Sequence, residues 1–191
     1  MEFFRNEGNV RDYIKMAEGY DGKELIEVLK SHLDTGSTVL ELGMGPGKDL
    51  DILREEFTVT GSDLSEVFIE MYRGEHPDAD LLLLDARTLE TDRTFDCIYS
   101  NKVLMHLSRE DLDTSLERQK ELLNKGGLLF HSFWKGDKVE EHMGLLFVYY
   151  TETQLREGFS ADYDLVAMET YTEMEEDDSI YVLAKVRVEQ I

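Results

Sequence analysis

Short apolar runs alternate with longer stretches of helical periodicity along most of this chain. The apolar runs are short enough to be buried strands, and they lie at 38–42, 58–61, 81–84, 95–100 and 128–133. Between them are amphipathic stretches, the first of which places Leu25, Leu29 and Leu33 on one helical face. Because strands that alternate with helices are typical of α/β proteins, we expect a doubly wound, mostly parallel sheet with helices on both faces.

The last third of the chain departs from this alternation. Two β-rich segments, 163–171 and 179–188, flank a short acidic run from Glu173 to Asp178. A connection this short makes a hairpin, so the two final strands are expected to be antiparallel. The segment 135–150 before them has two interpretations, a lid over a site or a part of the core.

Length and charge narrow the class of protein and its partners. The 191 residues predict a single domain. The formal net charge of −22 repels phosphate backbones and anionic membranes, so we expect no nucleic-acid and no membrane partner. A neutral or cationic small molecule is compatible with this charge. Solubility or a salt-rich habitat explains the same acidity equally well.

Cysteine usage and hydropathy predict the compartment. Cys97 is the only cysteine in the sequence, which fits a reducing environment. The first residues lack the pattern of a signal peptide, and no apolar run approaches the ~20 residues of a membrane span. We therefore expect a cytoplasmic protein.

A glycine-rich turn follows the first predicted strand, at the position where open α/β sheets bind ligands. A phosphate-binding loop would need glycine at Leu42 and a hydroxyl at Asp49, so that motif fails. A dinucleotide fingerprint would need its third glycine at Lys48, so that match is poor. The remaining pattern is G-x-G-x-G with an acid two residues before it, and it is complete in Glu41, Gly43, Gly45 and Gly47.

This pattern resembles motif I of the class I S-adenosylmethionine-dependent methyltransferases. Four further segments resemble that family's later motifs in the correct order, namely 59–65, 84–86, 95–101 and 123–129. The resemblance covers roughly residues 20–188 and implies the strand order 3-2-1-4-5-7-6, with the last strand antiparallel. It also implies one methyltransferase domain over 1–191, with a helical cap and first helix at 1–36 and a cofactor-binding core at 37–191.

The resemblance implies roles for the polar residues at the ends of the strands. Asp63, followed by Leu64, would accept hydrogen bonds from the ribose hydroxyls, although an acid here is also a common helix cap. Asp85 would accept from the adenine amino group and the Ala86 amide would donate to the ring, although Asp85 also suits a turn. Glu41 would help to place the methionine end. The remaining cofactor contacts are expected from Ser100, Asn101 and Tyr20, the last as a closing residue.

His106 is the candidate catalytic residue, since it follows the fourth strand where the acceptor must lie. Its alternative is a structural hydrogen bond at a helix entry. His131 lies inside the fifth strand and is expected to be a satisfied structural histidine. Glu140, Glu141 and His142 do not supply a convincing metal cage, so no metal is expected.

The sequence thus predicts methyl transfer from S-adenosylmethionine to a small-molecule acceptor, by a monomer or homodimer. Two alternatives stay open. One is a catalytically inactive methyltransferase-like subunit that binds cofactor or supports a partner. The other is a dinucleotide-dependent oxidoreductase, against which the missing third glycine and the terminal hairpin both count.

Overall fold

The computed structural model describes residues 7–16 and 19–187. In these ranges the chain forms six α-helices: α1 (Glu7–Met16), α2 (Lys23–Lys30), α3 (Lys48–Leu53), α4 (Glu66–Glu75), α5 (Arg109–Leu122) and α6 (Glu152–Phe159). The strands of the same ranges are β1 (Thr38–Leu42), β2 (Thr58–Asp63), β3 (Leu81–Leu83), β4 (Phe95–Asn101), β5 (Leu123–Trp134), β6 (Val139–His142), β7 (Leu145–Val148), β8 (Tyr163–Tyr171) and β9 (Ser179–Val186). A short 3-10 helix spans Leu104–His106. None of the described helices is both long and apolar enough to cross a membrane.

Seven strands form one sheet in the order β3-β2-β1-β4-β5-β9-β8. The five strands from β3 to β5 are parallel, whereas β9 is antiparallel to both β5 and β8. The predicted order 3-2-1-4-5-7-6 is therefore confirmed when the inserted strands β6 and β7 are left out of the count. β5 begins at Leu123, directly after α5, and is longer than the predicted run of 128–133.

The segment 135–150 is a hairpin that the sequence analysis did not predict. β6 and β7 pair with each other as a separate two-stranded sheet. Their turn is made by Met143 and Gly144, both with positive φ (52° and 76°), which a type I′ turn requires. Since Met-Gly is not one of the usual sequences for such a turn, the pattern gave little warning of it. Val148 belongs to one of the two core clusters, and Leu146 and Phe147 pack against that cluster.

The two faces of the sheet carry separate cores, as the doubly wound prediction requires. Along β4, Ile98 packs in the cluster that contains the apolar residues of α5 and α6. Its neighbours Cys97 and Tyr99 pack in the other cluster, which contains those of α2, α3 and α4. Alternate side chains of a strand point to opposite faces, so each central strand contributes to both cores.

Three helix starts follow the capping residues of the sequence. Ser65 accepts from the amide of Phe68 at the start of α4, and Ser108 accepts from the amide of Asp111 at the start of α5. Thr151 begins α6 with a complete capping box. The caps of α4 and α5 fix where these helices begin beyond the carboxyl ends of β2 and β4, whereas α6 follows the β6–β7 hairpin.

We predict opposite effects for alanine at two glycines. Gly22 precedes α2, and a Cβ there would lie 2.3 Å from Asp49 Oδ2 and 2.4 Å from the Tyr99 hydroxyl, so Gly22→Ala should lower the free energy of unfolding by about 1–3 kcal/mol. Gly74 in α4 has open space around it, so Gly74→Ala should raise that free energy by up to about 1 kcal/mol. Equilibrium urea unfolding measures both, and similar values for the two variants would contradict the packing described for Gly22.

Candidate cofactor and acceptor site

The turn after β1 uses its three glycines in different ways. Gly43, Gly45 and Gly47 all have positive φ, at 67°, 51° and 88°. A Cβ on Gly45 would meet no atom within 4 Å, so this glycine leaves open space beside the turn. A Cβ on Gly47 would lie 2.2 Å from the ring of Tyr72. Gly47 therefore serves close packing at the start of α3 and does not line either cavity described below.

Asp63 holds this turn from the end of β2. One carboxylate oxygen accepts from the amide of Gly45 at 2.9 Å, and the other accepts from the amide of Ser65 at 2.8 Å. Burial raises the pKa of Asp63, and these amide donors act in the opposite direction. The carboxylate thus joins the ends of β1 and β2 at one edge of the sheet.

Two neighbouring cavities lie at this edge. The smaller has a volume of about 80 Å³, and the predicted residues that line it are Gly43, Gly45, Asp63, Leu64, Asp85, Ala86 and His106. The larger has a volume of about 270 Å³, and the predicted residues that line it are Tyr20, Glu41, Gly43, Gly45, Asn101 and His106. Gly43, Gly45 and His106 line both cavities, so most of the predicted site residues lie in one region of the structure. Ser100 lines neither cavity.

Glu41 is the exceptional acid of the site. Its side chain is 3% exposed, and its Oε2 has no hydrogen-bond partner among the described residues. Burial raises the pKa of Glu41 well above its usual range, and the nearby carboxylates of Asp49 and Asp63 add to the effect. A buried acceptor without a donor is costly, so a cationic ligand group that donates a hydrogen bond to this oxygen would be favoured.

The carboxylate of Asp85 accepts several hydrogen bonds from Arg87, which the sequence did not predict. The guanidinium of Arg87 donates to both carboxylate oxygens, and the amide of Arg87 donates to one of them. This pairing holds the pKa of Asp85 below its usual range. An adenine amino group would therefore share the carboxylate with Arg87.

A chain of hydrogen bonds runs from Ser100 in β4 to the carbonyl of Ala86 in the loop after β3. Ser100 Oγ bonds His131 Nδ1 at 2.8 Å, and His131 Nε2 bonds Gln119 Oε1 at 2.8 Å. Gln119 then donates to Ser115 Oγ at 2.9 Å, and Ser115 donates to the Ala86 carbonyl at 2.6 Å. His131 is thus a satisfied structural histidine, as predicted, and burial lowers its pKa to about 3. The side chain of Ser100 is committed to this chain inside the core.

Asp49 has a role that the sequence analysis did not assign. It is nearly buried and accepts from the Gly22 amide at 2.6 Å, the Tyr99 hydroxyl at 2.8 Å and the Asn101 amide group at 3.1 Å. Asn101 in turn accepts from the hydroxyl of Ser132 at 2.6 Å. An acid in the first turn of a helix is usually solvated, so no sequence signal identified these distant donors.

Lys102 is a second residue that the sequence analysis missed. It follows β4 in the left-handed region, with φ 56°, and its side chain is 11% exposed. Its ammonium donates to Glu173, to the Tyr171 hydroxyl at 3.1 Å and to Ser179 Oγ at 2.8 Å. The same nitrogen lies 3.9 Å from the centre of the Trp134 ring. Burial lowers the pKa of Lys102, and Glu173 opposes that shift.

His106 lines both cavities and is oriented by the β6–β7 hairpin. Its Nδ1 lies 2.7 Å from the Leu146 carbonyl oxygen, and its ring meets Phe147 edge-on at 4.8 Å. Because a carbonyl only accepts, Nδ1 carries the proton and Nε2 of the neutral ring has a free lone pair. Burial lowers the pKa of His106, which favours this neutral form.

Two tyrosines of the N-terminal part lie at the site, at different depths. Tyr20, the predicted closing residue, lies at the mouth of the larger cavity and is 42% exposed. Tyr13 of α1 lines both cavities and meets Phe68 edge-on at 6.1 Å. Tyr13 is thus the deeper of the two.

The comparisons with known proteins agree with this geometry. Residues 39–127 match the family model described as "Methyltransferase domain". A trans-aconitate 2-methyltransferase of Methylobacterium radiotolerans is 35% identical over 100 residues, which are 51% of this chain and 38% of the relative. A phosphoethanolamine N-methyltransferase of Triticum aestivum is 30% identical over 114 residues, 56% of this chain and 22% of the relative. The chain thus spans less than two fifths of the length of these curated relatives.

Solved structures extend the likeness to nearly the whole chain. The 1,6-didemethyltoxoflavin-N1-methyltransferase of Burkholderia thailandensis, solved with 1,6-didemethyltoxoflavin and S-adenosylhomocysteine, is 20% identical, with a TM-score of 0.80 over 94% of this chain and 84% of that one. The N-methyltransferase NodS of Bradyrhizobium japonicum, solved with S-adenosylhomocysteine, is 16% identical, with a TM-score of 0.75 over 97% of this chain and 95% of that one.

The strand order and the site at the carboxyl edge of the sheet are those of a Rossmann-like methyltransferase fold. Residues 39–127 match the methyltransferase-domain model, and the chain has the architecture of the class I S-adenosylmethionine-dependent methyltransferases. The resemblance found in the sequence motifs is confirmed by both comparisons.

We predict that His106 and His131 hold opposite tautomers. His106 should carry its proton on Nδ1 and titrate below the usual value of about 6.5, whereas His131 should carry it on Nε2 and stay neutral down to about pH 3. Long-range ¹H–¹⁵N correlation spectra across a pH series measure both properties, and the His106→Asn variant assigns the signals. A His106 ring with its proton on Nε2 would contradict the described hydrogen bond.

We also predict that Glu41 destabilises the protein without ligand at higher pH. Because the pKa of Glu41 is raised in the folded protein, the native state binds more protons than the unfolded state between the two pKa values. The free energy of unfolding therefore falls as the pH rises from the pKa of an ordinary glutamate through the raised pKa of Glu41. Glu41→Gln should remove part of this slope and stabilise the protein at pH 8 by on the order of 1 kcal/mol. Chemical unfolding at several pH values tests this, with the exposed Asp113→Asn as the matched control. An unchanged slope in Glu41→Gln would refute it.

Proposed function

We propose that this protein transfers a methyl group from S-adenosylmethionine to a small-molecule acceptor. The observation that carries the proposal is Glu41 Oε2, a buried acceptor without a donor at the wall of a cavity that also contains the turn glycines. When bound, S-adenosylmethionine supplies a methyl group already activated on a sulfonium. The chain then has to hold the cofactor, orient the acceptor and exclude water.

The smaller cavity is assigned to the adenosine part of the cofactor. Asp63 is the proposed partner of the ribose hydroxyls, because the amides of Gly45, Leu64 and Ser65 do not use all of the roughly four lone-pair sites of its carboxylate. The Ala86 amide and the Asp85 carboxylate are the proposed adenine contacts, with Leu64 lining the same cavity. The hydrogen-bond chain that ends at the Ala86 carbonyl would position this loop.

The inner end of the larger cavity is assigned to the methionine part. Glu41 would accept from the cofactor's ammonium group, which would favour the ionised carboxylate despite its burial. The open space beside Gly45 allows the close approach of a ligand to the backbone. Asn101 would contribute its second amide hydrogen, since its oxygen is taken by Ser132.

The rest of the larger cavity is assigned to the acceptor. The relatives named above are methyltransferases for small molecules, and we extend that class of acceptor to this chain. His106 is the proposed proton acceptor for an acceptor group that loses a proton, because its neutral ring offers the Nε2 lone pair. Tyr20 is proposed to cover the bound ligands. We further propose a cytoplasmic protein that acts as a monomer or homodimer.

We predict micromolar binding of S-adenosylhomocysteine and no binding of NAD by calorimetry. Asp63→Asn should weaken the S-adenosylhomocysteine affinity at least roughly tenfold, about 1.4 kcal/mol, because one carboxylate oxygen becomes a donor. Asp113→Asn, an exposed acid of α5, should leave the affinity unchanged, and circular dichroism verifies the fold of both variants. Wild-type protein that binds NAD, or that binds no S-adenosylhomocysteine, would refute the proposed function.

A further inference from the structure

Three large apolar side chains at the mouth of the larger cavity are exposed to solvent. They are Tyr20, Met143 and Met174, which are 42%, 62% and 59% exposed. Each stands on a separate connection: the turn before α2, the β6–β7 turn and the β8–β9 loop. Single exposed apolar residues are common, but a group of three around one opening marks a surface that binds an apolar molecule.

The walls of the cavity continue this apolar character inward. Behind the rim stand Met105, Trp134, Leu145 and Phe147, from the 3-10 helix, β5 and β7. Aromatic and methionine side chains of this kind fit flat or irregular apolar bodies. The hairpin thus contributes both to the rim and to the wall.

The charges of the cavity select against an anion. Four carboxylates and two ammonium groups line it, namely Asp21, Glu41, Asp49, Glu173, Lys48 and Lys102. The ammonium of Lys102 already has three acceptors in Glu173, Tyr171 and Ser179, and it lies on the Trp134 ring. Lys48 donates to the carbonyl of Tyr20. To bind Lys102, a carboxylate or phosphate would have to displace one of its three hydrogen bonds, and it would also lie near the acids Asp21 and Asp49.

We propose that the acceptor held by the larger cavity is an amine on an apolar or aromatic body, without a carboxylate or phosphate group. The proposal rests on the proposed function and names its substrate class. The apolar rim and walls take the body of the molecule, and the excess of carboxylates favours a neutral or cationic nitrogen over an anionic group.

Trp134 makes the test independent of catalysis. It is the only tryptophan of the chain and lines the cavity, so its fluorescence reports binding there. Phenethylamine and 3-phenylpropionate share an apolar body and differ in charge, and each is titrated with and without saturating S-adenosylhomocysteine. The amine should change the fluorescence at a concentration at least roughly tenfold lower than the acid. Equal or tighter binding of the acid, or no response to the amine at millimolar concentration, would overturn the proposal.

The rim is tested with matched methionine variants. Met143→Gln combined with Met174→Gln should weaken phenethylamine binding several-fold, because the polar ends replace apolar contact area. Met71→Gln serves as the control, since Met71 is exposed on α4 and lines neither of the two site cavities. Equal amine affinities in the double variant and the control would contradict the role of the rim.

Failure of the proposed function gives a different result. A protein that binds no S-adenosylhomocysteine refutes the methyltransferase proposal by itself. The comparison of amine and acid with saturating S-adenosylhomocysteine decides the preference of the acceptor part of the cavity, because the bound ligand then occupies the proposed position at Glu41.

Discussion

The burial of three carboxylates at one edge of the sheet is the constraint on which the site depends. Asp63 and Asp49 are supplied with donors by the chain, from backbone amides in the first case and from Gly22, Tyr99 and Asn101 in the second. Glu41 is left with one oxygen unpaired among the described residues. Because like charges at close range raise one another's pKa, this arrangement costs stability in the protein alone and favours a cationic ligand group.

Hydrogen bonds also position the elements around the site. The bond from Gly22 to Asp49 fixes the start of α2 against α3, which brings the Tyr20 turn to the cavity. On the opposite side, the β6–β7 hairpin supplies the Leu146 carbonyl that selects the tautomer of His106. The hairpin interrupts the regular order of the fold, yet it contributes the orientation of a candidate catalytic group and one side of the mouth.

The sequence was informative where local patterns decide structure. The strands follow from apolar spacing, the start of α4 follows from Ser65, and the strand order follows from the family resemblance of the motif that contains Glu41. The structure agrees with each. Contacts between distant segments left no such pattern. Asp49 and Lys102 have ordinary neighbours in sequence, and their roles arise from donors and acceptors 27 to 77 residues away. The Met143 turn was missed because positive φ at a methionine has no sequence signal.

The large negative net charge does not by itself select the acceptor. At physiological ionic strength, exposed charges are screened beyond a Debye length of about 8 Å, so most of the 42 acidic residues affect encounter only weakly. Charges inside the cavity are screened much less. There, Lys102 is tied to Glu173 and stacked on Trp134, which leaves the cavity with carboxylates in excess and without this ammonium as an anion partner. The proposed preference for an amine therefore follows from one partly buried ion pair more than from the overall acidity.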